Sequence, residues 1–202
     1  MPSRLPPRYD DEVLARDWPE IVAYFQRRQA EAGYVANAMR IMAQRPDILE
    51  PFLRLLDATY WSEGEVGREL KTLLALVRSG AAGCRYCQAH TASRGYKGAV
   101  DEAKMEAVWD FETSPLFSEA ERAALRLARD AAVQPNAVTD QHFSDLLRHF
   151  TVTQAVEILA VISLFAFLNC WNDSLATELE EVPFDTASRH LADRGWSPDK
   201  HI

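Results

Sequence analysis

Cys84, Cys87 and His90 have the spacing in this chain best suited to chemistry: two thiols three residues apart, with an imidazole three further on, in Cys84-Arg85-Tyr86-Cys87-Gln88-Ala89-His90. Ser79-Gly80-Ala81-Ala82-Gly83 breaks the pattern before it, and a helix-compatible stretch from Gln88 to Lys97 follows. A helix starting near Cys84 puts both sulfurs in its first turn, where unsatisfied N–H groups and the macrodipole favour negative charge. Residues three apart are neighbours on a helix surface, so Cys84 can face Cys87, and Cys87 can face His90. A thiol with pKa about 8.5 is a few per cent ionised at neutral pH, and lowering it to about 6.5 gains roughly twenty-fold in thiolate. The helix end, Arg85 and His90 are the available means. This is a redox-thiol signature, with Cys87, the sulfur nearer His90, expected to be the more acidic.

Two plainer readings compete with it. A structural zinc site needs about four N or S ligands. The only other thiol, Cys170, lies in an apolar segment, and His142, His149, His190 and His201 are scattered. Two inert cysteines packed as small hydrophobes would also fit. The shared helical face favours thiol chemistry, which needs neither metal nor cofactor. Cys170, between Leu168 and Trp171, is expected to be a crowded, unreactive packing residue.

The elements that must position these groups read as helices throughout, with no alternating strand pattern. Asp17, Pro19 and Glu20 open a helix with the stripe Ile21, Val22, Phe25, stopped by Gly33. Helices follow over Val35 to Gln44 and Asp47 to Tyr60, then a break at Trp61-Ser62-Glu63-Gly64. Leu70, Leu73, Leu74 and Val77 repeat at helical spacing and deliver the chain to the Cys pair. Asp101 caps a helix through Trp109, Ser118-x-x-Glu121 is a capping box for a helix to about Val133, and Thr139 caps one through His149. Thr151 or Thr153 opens a long helix to about Glu180, and the tail from Pro183 carries one more, ending near Gly195. The expected organisation is one all-α domain over 1–202, with N-terminal helices at 17–60, a CxxC-containing core at 68–180 and a tail at 181–202. The run from Ile158 to Leu168 is apolar on every face, so other helices must surround it, and a subunit interface is the natural second reading. Asn169, Trp171, Asn172 and Asp173, just beyond, read either as the solvated polar end of a helix leaving the core or as a functional cluster, with Asn172 or Asp173 lining the thiol pocket or bonding a neighbouring subunit.

With 202 residues and a formal charge of −8, the chain is long enough for a large core and offers no basic surface for nucleic acid. Its N-terminus has no apolar run of a signal peptide, and its longest apolar run is too short to span a bilayer. These features predict a cytoplasmic protein with no membrane partner.

Three segments together resemble the carboxymuconolactone decarboxylase family, in its alkylhydroperoxidase D-like branch: Gly83-Cys-Arg-Tyr-Cys-Gln-Ala-His-Thr91, Trp109 to Ser118 with Glu121-Arg122, and Phe167-Leu-Asn-Cys-Trp-Asn-Asp173. The resemblance implies an all-α multi-helix fold, intertwined homo-oligomers and reduction of hydroperoxides through a Cys-pair disulfide, re-reduced by a thiol electron donor. It implies Cys87 as the attacking thiolate, Cys84 as the resolving thiol and His90 as part of a proton relay. The chain departs from the hydroperoxidase pattern twice. Thr91 stands where that pattern has its His, and Thr72 stands where it has a Glu. The carboxylate of the relay is left open among Glu69, Glu112, Glu121 and Glu157. Thiol-dependent peroxide reduction is the expected function. The alternatives are lactone decarboxylation, which needs no thiol pair, and a non-enzymatic redox-responsive helical oligomer.

Overall fold

The computed structural model describes residues 2–202, which form eleven α-helices and no strand among the described residues. In order they are α1 (Asp11–Asp17), α2 (Pro19–Ala32), α3 (Asn37–Met42), α4 (Pro46–Leu56), α5 (Arg68–Ala81), α6 (Arg85–Arg94), α7 (Glu102–Ala107), α8 (Glu119–Asp130), α9 (Asp140–Leu146), α10 (Val152–Leu175) and α11 (Glu181–His190). Two π-helical turns, Asp57–Trp61 and Gly95–Ala99, extend α4 and α6.

The predicted caps are present where their side chains can reach an orphan N–H. Asp101 accepts from Ala103 and Lys104, and Ser118 with Glu121 and Thr151 with Gln154 form reciprocal boxes. Each such cap contributes about 1 kcal/mol. α1 was not anticipated, because its sequence buries only Leu14 and shows no apolar stripe.

The centre of the fold is α5, packed between α6, α8 and α10, with nine consecutive buried residues from Lys71 to Ser79. Each of its four buried polar side chains finds a partner, although Arg78 Nε is left without one among the described residues. Lys71 pairs with Glu157 at 2.5 Å, Thr72 donates to the Arg68 carbonyl, and Arg78 and Ser79 both bond Asn169. The helix expected to be wholly enclosed, α10, is half-covered. Ile158, Val161, Ile162, Leu164, Phe165 and Leu168 face inward, while Leu159, Ser163 and Phe167 face out. By length and composition α10 could cross a membrane, but nine of its residues pack into this core.

Glu157 also accepts the backbone N–H groups of Glu65 and Val66, which ties the loop before α5 to α10. A Cβ on Gly64 would meet the Glu157 carboxylate, which would have to shift to admit a larger residue there. The tail folds back over α6: α11 packs against it, and Trp196 Nε1 donates to the Arg85 carbonyl at 3.2 Å.

Candidate active site

α5 closes through Gly83 at φ 73°, a left-handed conformation that glycine adopts without strain. The turn lets the Cys84 N–H bond back to the Ser79 carbonyl and makes Cys84 the N-cap of α6. Cys87 then lies one turn into the helix. Cys84 is fully buried and Cys87 is 3 % exposed.

The Cys87 sulfur borders a cavity of about 330 Å³, walled by Tyr34, Tyr60, Trp61, Tyr86, Phe165 and Leu168. The π turn after α4 presents both Tyr60 and Trp61 to this space. Cys84 lies behind Cys87, outside the cavity lining.

The expected acidity of the two thiols is reversed. Cys84 accepts hydrogen bonds from the Cys87 thiol and backbone N–H; against the opposing effect of burial, these hold it below the ordinary thiol value. Cys87 is pushed well above that value by burial and by donating to Cys84. The pair therefore behaves as one acid that shares a proton, with the negative charge favoured on the N-cap sulfur. His90 is not bonded to Cys87. Its Nε2 meets Glu180 Oε2 at 2.6 Å, its Nδ1 lies 3.4 Å from the Tyr34 hydroxyl, and its ring stacks on Tyr86 with centroids 4.3 Å apart.

The cation beside the sulfurs is Arg78, not Arg85. Arg78 is 6 % exposed, donates to Asn169 Oδ1 at 2.6 Å and makes no ion pair with a carboxylate among the described residues. Burial pushes its guanidinium down, and the two thiols are the groups that push it back up. A buried charge without a partner is expensive, so a thiolate is the natural counterion. Asn169 is placed to donate to either sulfur, and Asn172 Nδ2 lies 3.5 Å from Cys87 Sγ. Asn172 thus lines the thiol pocket, one of the two roles expected for it, whereas Asp173 pairs with Lys200 at 2.9 Å.

None of the four carboxylates considered from sequence meets His90. Glu69 and Glu121 bind Lys104, Glu112 binds Arg126 and Arg129, and Glu157 holds Lys71. Thr72 is buried away from the cavity, and Thr91 bonds back to the Cys87 carbonyl. The partner is Glu180, the N-cap residue of α11, which also accepts from the Tyr86 hydroxyl at 3.0 Å and the Asn37 N–H at 2.5 Å. Burial works to raise the Glu180 carboxyl, but His90 and the Asn37 N–H outweigh it and hold the group below its ordinary value. Cys170 is exposed on the outer face of α10, against the expectation of a crowded setting.

The profile of the carboxymuconolactone decarboxylase family matches residues 46–130. The crystal structure of the debrominase Bmp8 superposes with a TM-score of 0.80 at 30% identity, covering 91% of this chain and 96% of that one. The chain belongs to the carboxymuconolactone decarboxylase family. A cysteine-to-alanine variant of Bmp8 in complex with 2,3,4-tribromopyrrole superposes with a TM-score of 0.81 at 29% identity, over 92% of this chain and 96% of that one. A peroxidase-related protein from Ralstonia eutropha JMP134 with an alkylhydroperoxidase AhpD core shares the fold, with a TM-score of 0.77 at 22% identity over 91% and 95% of the two chains. The uncharacterized protein YnjA of Escherichia coli (strain K12) is 36% identical over 81 residues, 40% of this chain and 44% of its own length. The match thus spans under half of that relative.

Proposed function

We propose that the protein is a thiol-dependent reductase that passes two electrons from the Cys84–Cys87 pair to an organic hydroperoxide held in the cavity. One observation carries this reading: of the two cysteines paired at the start of α6, Cys87 borders an aromatic-walled cavity and Cys84 lies buried outside its lining. In the resting pair one proton lies between the sulfurs, and its transfer to Cys84 leaves a thiolate on Cys87. That thiolate attacks the terminal peroxide oxygen and breaks the O–O bond. The products are a Cys87 sulfenic acid and an alkoxide, which takes a proton from the His90–Glu180 couple. The Cys84 thiol then displaces hydroxide from the sulfenic sulfur; its proton leaves with that hydroxide as water, and a disulfide remains. A dithiol donor returns two electrons and two protons. The enclosed setting of both sulfurs favours catalysis over a redox switch that alters a partner surface.

A second reading, reductive dehalogenation of a halogenated ring, draws on the similarity to Bmp8 and on the ring-sized aromatic cavity. Here the Cys87 thiolate takes the halogen from carbon, the carbanion takes a proton, and Cys84 expels halide as the disulfide forms. Dithiothreitol-driven turnover of cumene hydroperoxide and of tribromopyrrole separates the two readings, with loss of peroxide or release of bromide as the signal. Activity should vanish in Cys87→Ser and fall about ten- to a thousand-fold in stably folded His90→Ala. Lactone decarboxylation, by contrast, would survive Cys87→Ser. Failure of both oxidants to produce a Cys84–Cys87 disulfide would overturn the proposal.

A further inference from the structure

We infer that the mouth of the cavity is a carboxylate-recognition site centred on Arg94, so that the substrate is an organic acid with an apolar body whose reducible end reaches Cys87. This inference rests on the reading of Cys87 as the reacting sulfur. In a chain of net charge −8, the cavity wall and the depression beside it gather Arg27, Arg28, Arg68, Arg94 and Lys97 against only Glu31 and Asp57. Arg28 is paired with Glu31 at 2.6 Å. Arg94, Arg68 and Arg27 form no ion pair among the described residues.

The guanidinium groups are held by their faces. Arg94 stacks 3.7 Å from the centroid of Trp61 and lies 5.1 Å from that of Tyr60, while Arg28 lies 4.4 Å from the same Trp61 ring. Stacking occupies the face of a guanidinium and leaves its in-plane N–H edge free, the geometry that receives a carboxylate. Arg94 Nε and Trp61 Nε1 are buried donors with no acceptor among the described residues. Burial lowers the Arg94 pKa, and Arg68 and Arg28 push in the same direction, a tension that a bound anion relieves.

Position supplies the rest of the argument. Cys87 and Arg94 both line the cavity and are seven residues apart on α6, about 10 Å along the axis. His90 lies between them. A ring with a short acid chain spans that distance, with the apolar part against Tyr34, Phe165 and Leu168.

Binding without turnover tests this independently of the redox reading. Trp fluorescence titrations of the reduced Cys87→Ser protein would compare 4-phenylbutyrate with its neutral amide. The acid should bind at least about tenfold more tightly, with the preference weakening in high salt and disappearing in Arg94→Gln. Should Arg94→Gln misfold, the exposed Arg68→Gln decides the matter, with an expected loss of several-fold for the acid alone. Equal binding of acid and amide, a preference unchanged in the folded variants, or binding of inorganic phosphate as tight as that of the aromatic acid would each overturn the inference.

Discussion

Replacing Arg78 with methionine should raise the pH at which the Cys pair becomes reactive while leaving the fold intact. An opposite charge close to an acid lowers its pKa by about one to three units. Arg78 is 6 % exposed and bonded through Asn169 to the sulfurs, where water screens little. At about 1.4 kcal/mol per unit, the thiolate loses roughly 1.4–4 kcal/mol of support in the variant. Folding responds differently. A buried cation without a carboxylate carries a desolvation cost of several kcal/mol, and a methionine of similar length removes it. The melting temperature should therefore hold or rise, even though the bond to Asn169 is lost. Iodoacetamide labelling of reduced protein between pH 5 and 10, in a Cys170→Ser background, reads the midpoint directly. At pH 7 the rate should fall by about tenfold or more. An unchanged midpoint in a folded Arg78→Met protein would refute the assignment of Arg78 as the counterion.

Glu180→Gln should cut turnover about ten- to a hundred-fold, as expected when the group orienting an acid–base histidine is lost; wild-type activity across the pH range would remove Glu180 from the relay. Acid should destabilise the protein in two stages. Burial depresses His201, whose Nδ1 donates to the Thr177 carbonyl, so its contribution is complete above about pH 6.5 and is lost as pH falls through its lowered value. Glu180, likewise depressed, gives a second loss below its ordinary value near 4.3. Thermal melts against pH should show both limbs, with the upper one flattened in His201→Asn; an unaltered upper limb would assign it elsewhere. Val152, Val156, Leu159 and Phe167 form an exposed apolar stripe on α10, so the chain should self-associate at micromolar concentration. Leu159→Glu should dissociate it, whereas the inward-facing Phe165→Asp should unfold it; light scattering from wild-type protein at the 22.8 kDa monomer mass would count against association.

Local signals were legible in the sequence, and long-range ones were not. Capping at Asp101, Ser118 and Thr151 is written within three residues, and so is the placement of Cys84 and Cys87 at a helix start. Arg78 has no such signature: charged residues in a helix read as its solvated face, and only Asn169, 91 residues away, makes its burial tenable. The same holds for Lys71, whose partner Glu157 lies on another helix. Glu180 was visible only as the end of a helix, because its bond to His90 crosses 90 residues. The acidity of the thiols was misjudged for a related reason. Helical spacing put His90 near Cys87, but the ring stacks on Tyr86 and turns to Glu180. The outward face of α10 misled in the other direction: its apolar residues suggested enclosure, yet Cys170 and Phe167 lie on the surface.

The way α11 closes over α6 gives activity and fold separate thermal limits. This helix buries only Pro183 and Ala187 of its ten residues and leans on contacts such as Trp196 with Arg85. Terminal segments commonly open at a lower free-energy cost than the whole domain. Because Glu180 is the N-cap residue of α11, opening of that segment would withdraw the carboxylate from His90 while α5, α8 and α10 stayed packed. Catalysis would then fade reversibly on warming, before any cooperative melt. Adaptation to a hotter setting could therefore proceed through substitutions in residues 181–202, with the core left untouched.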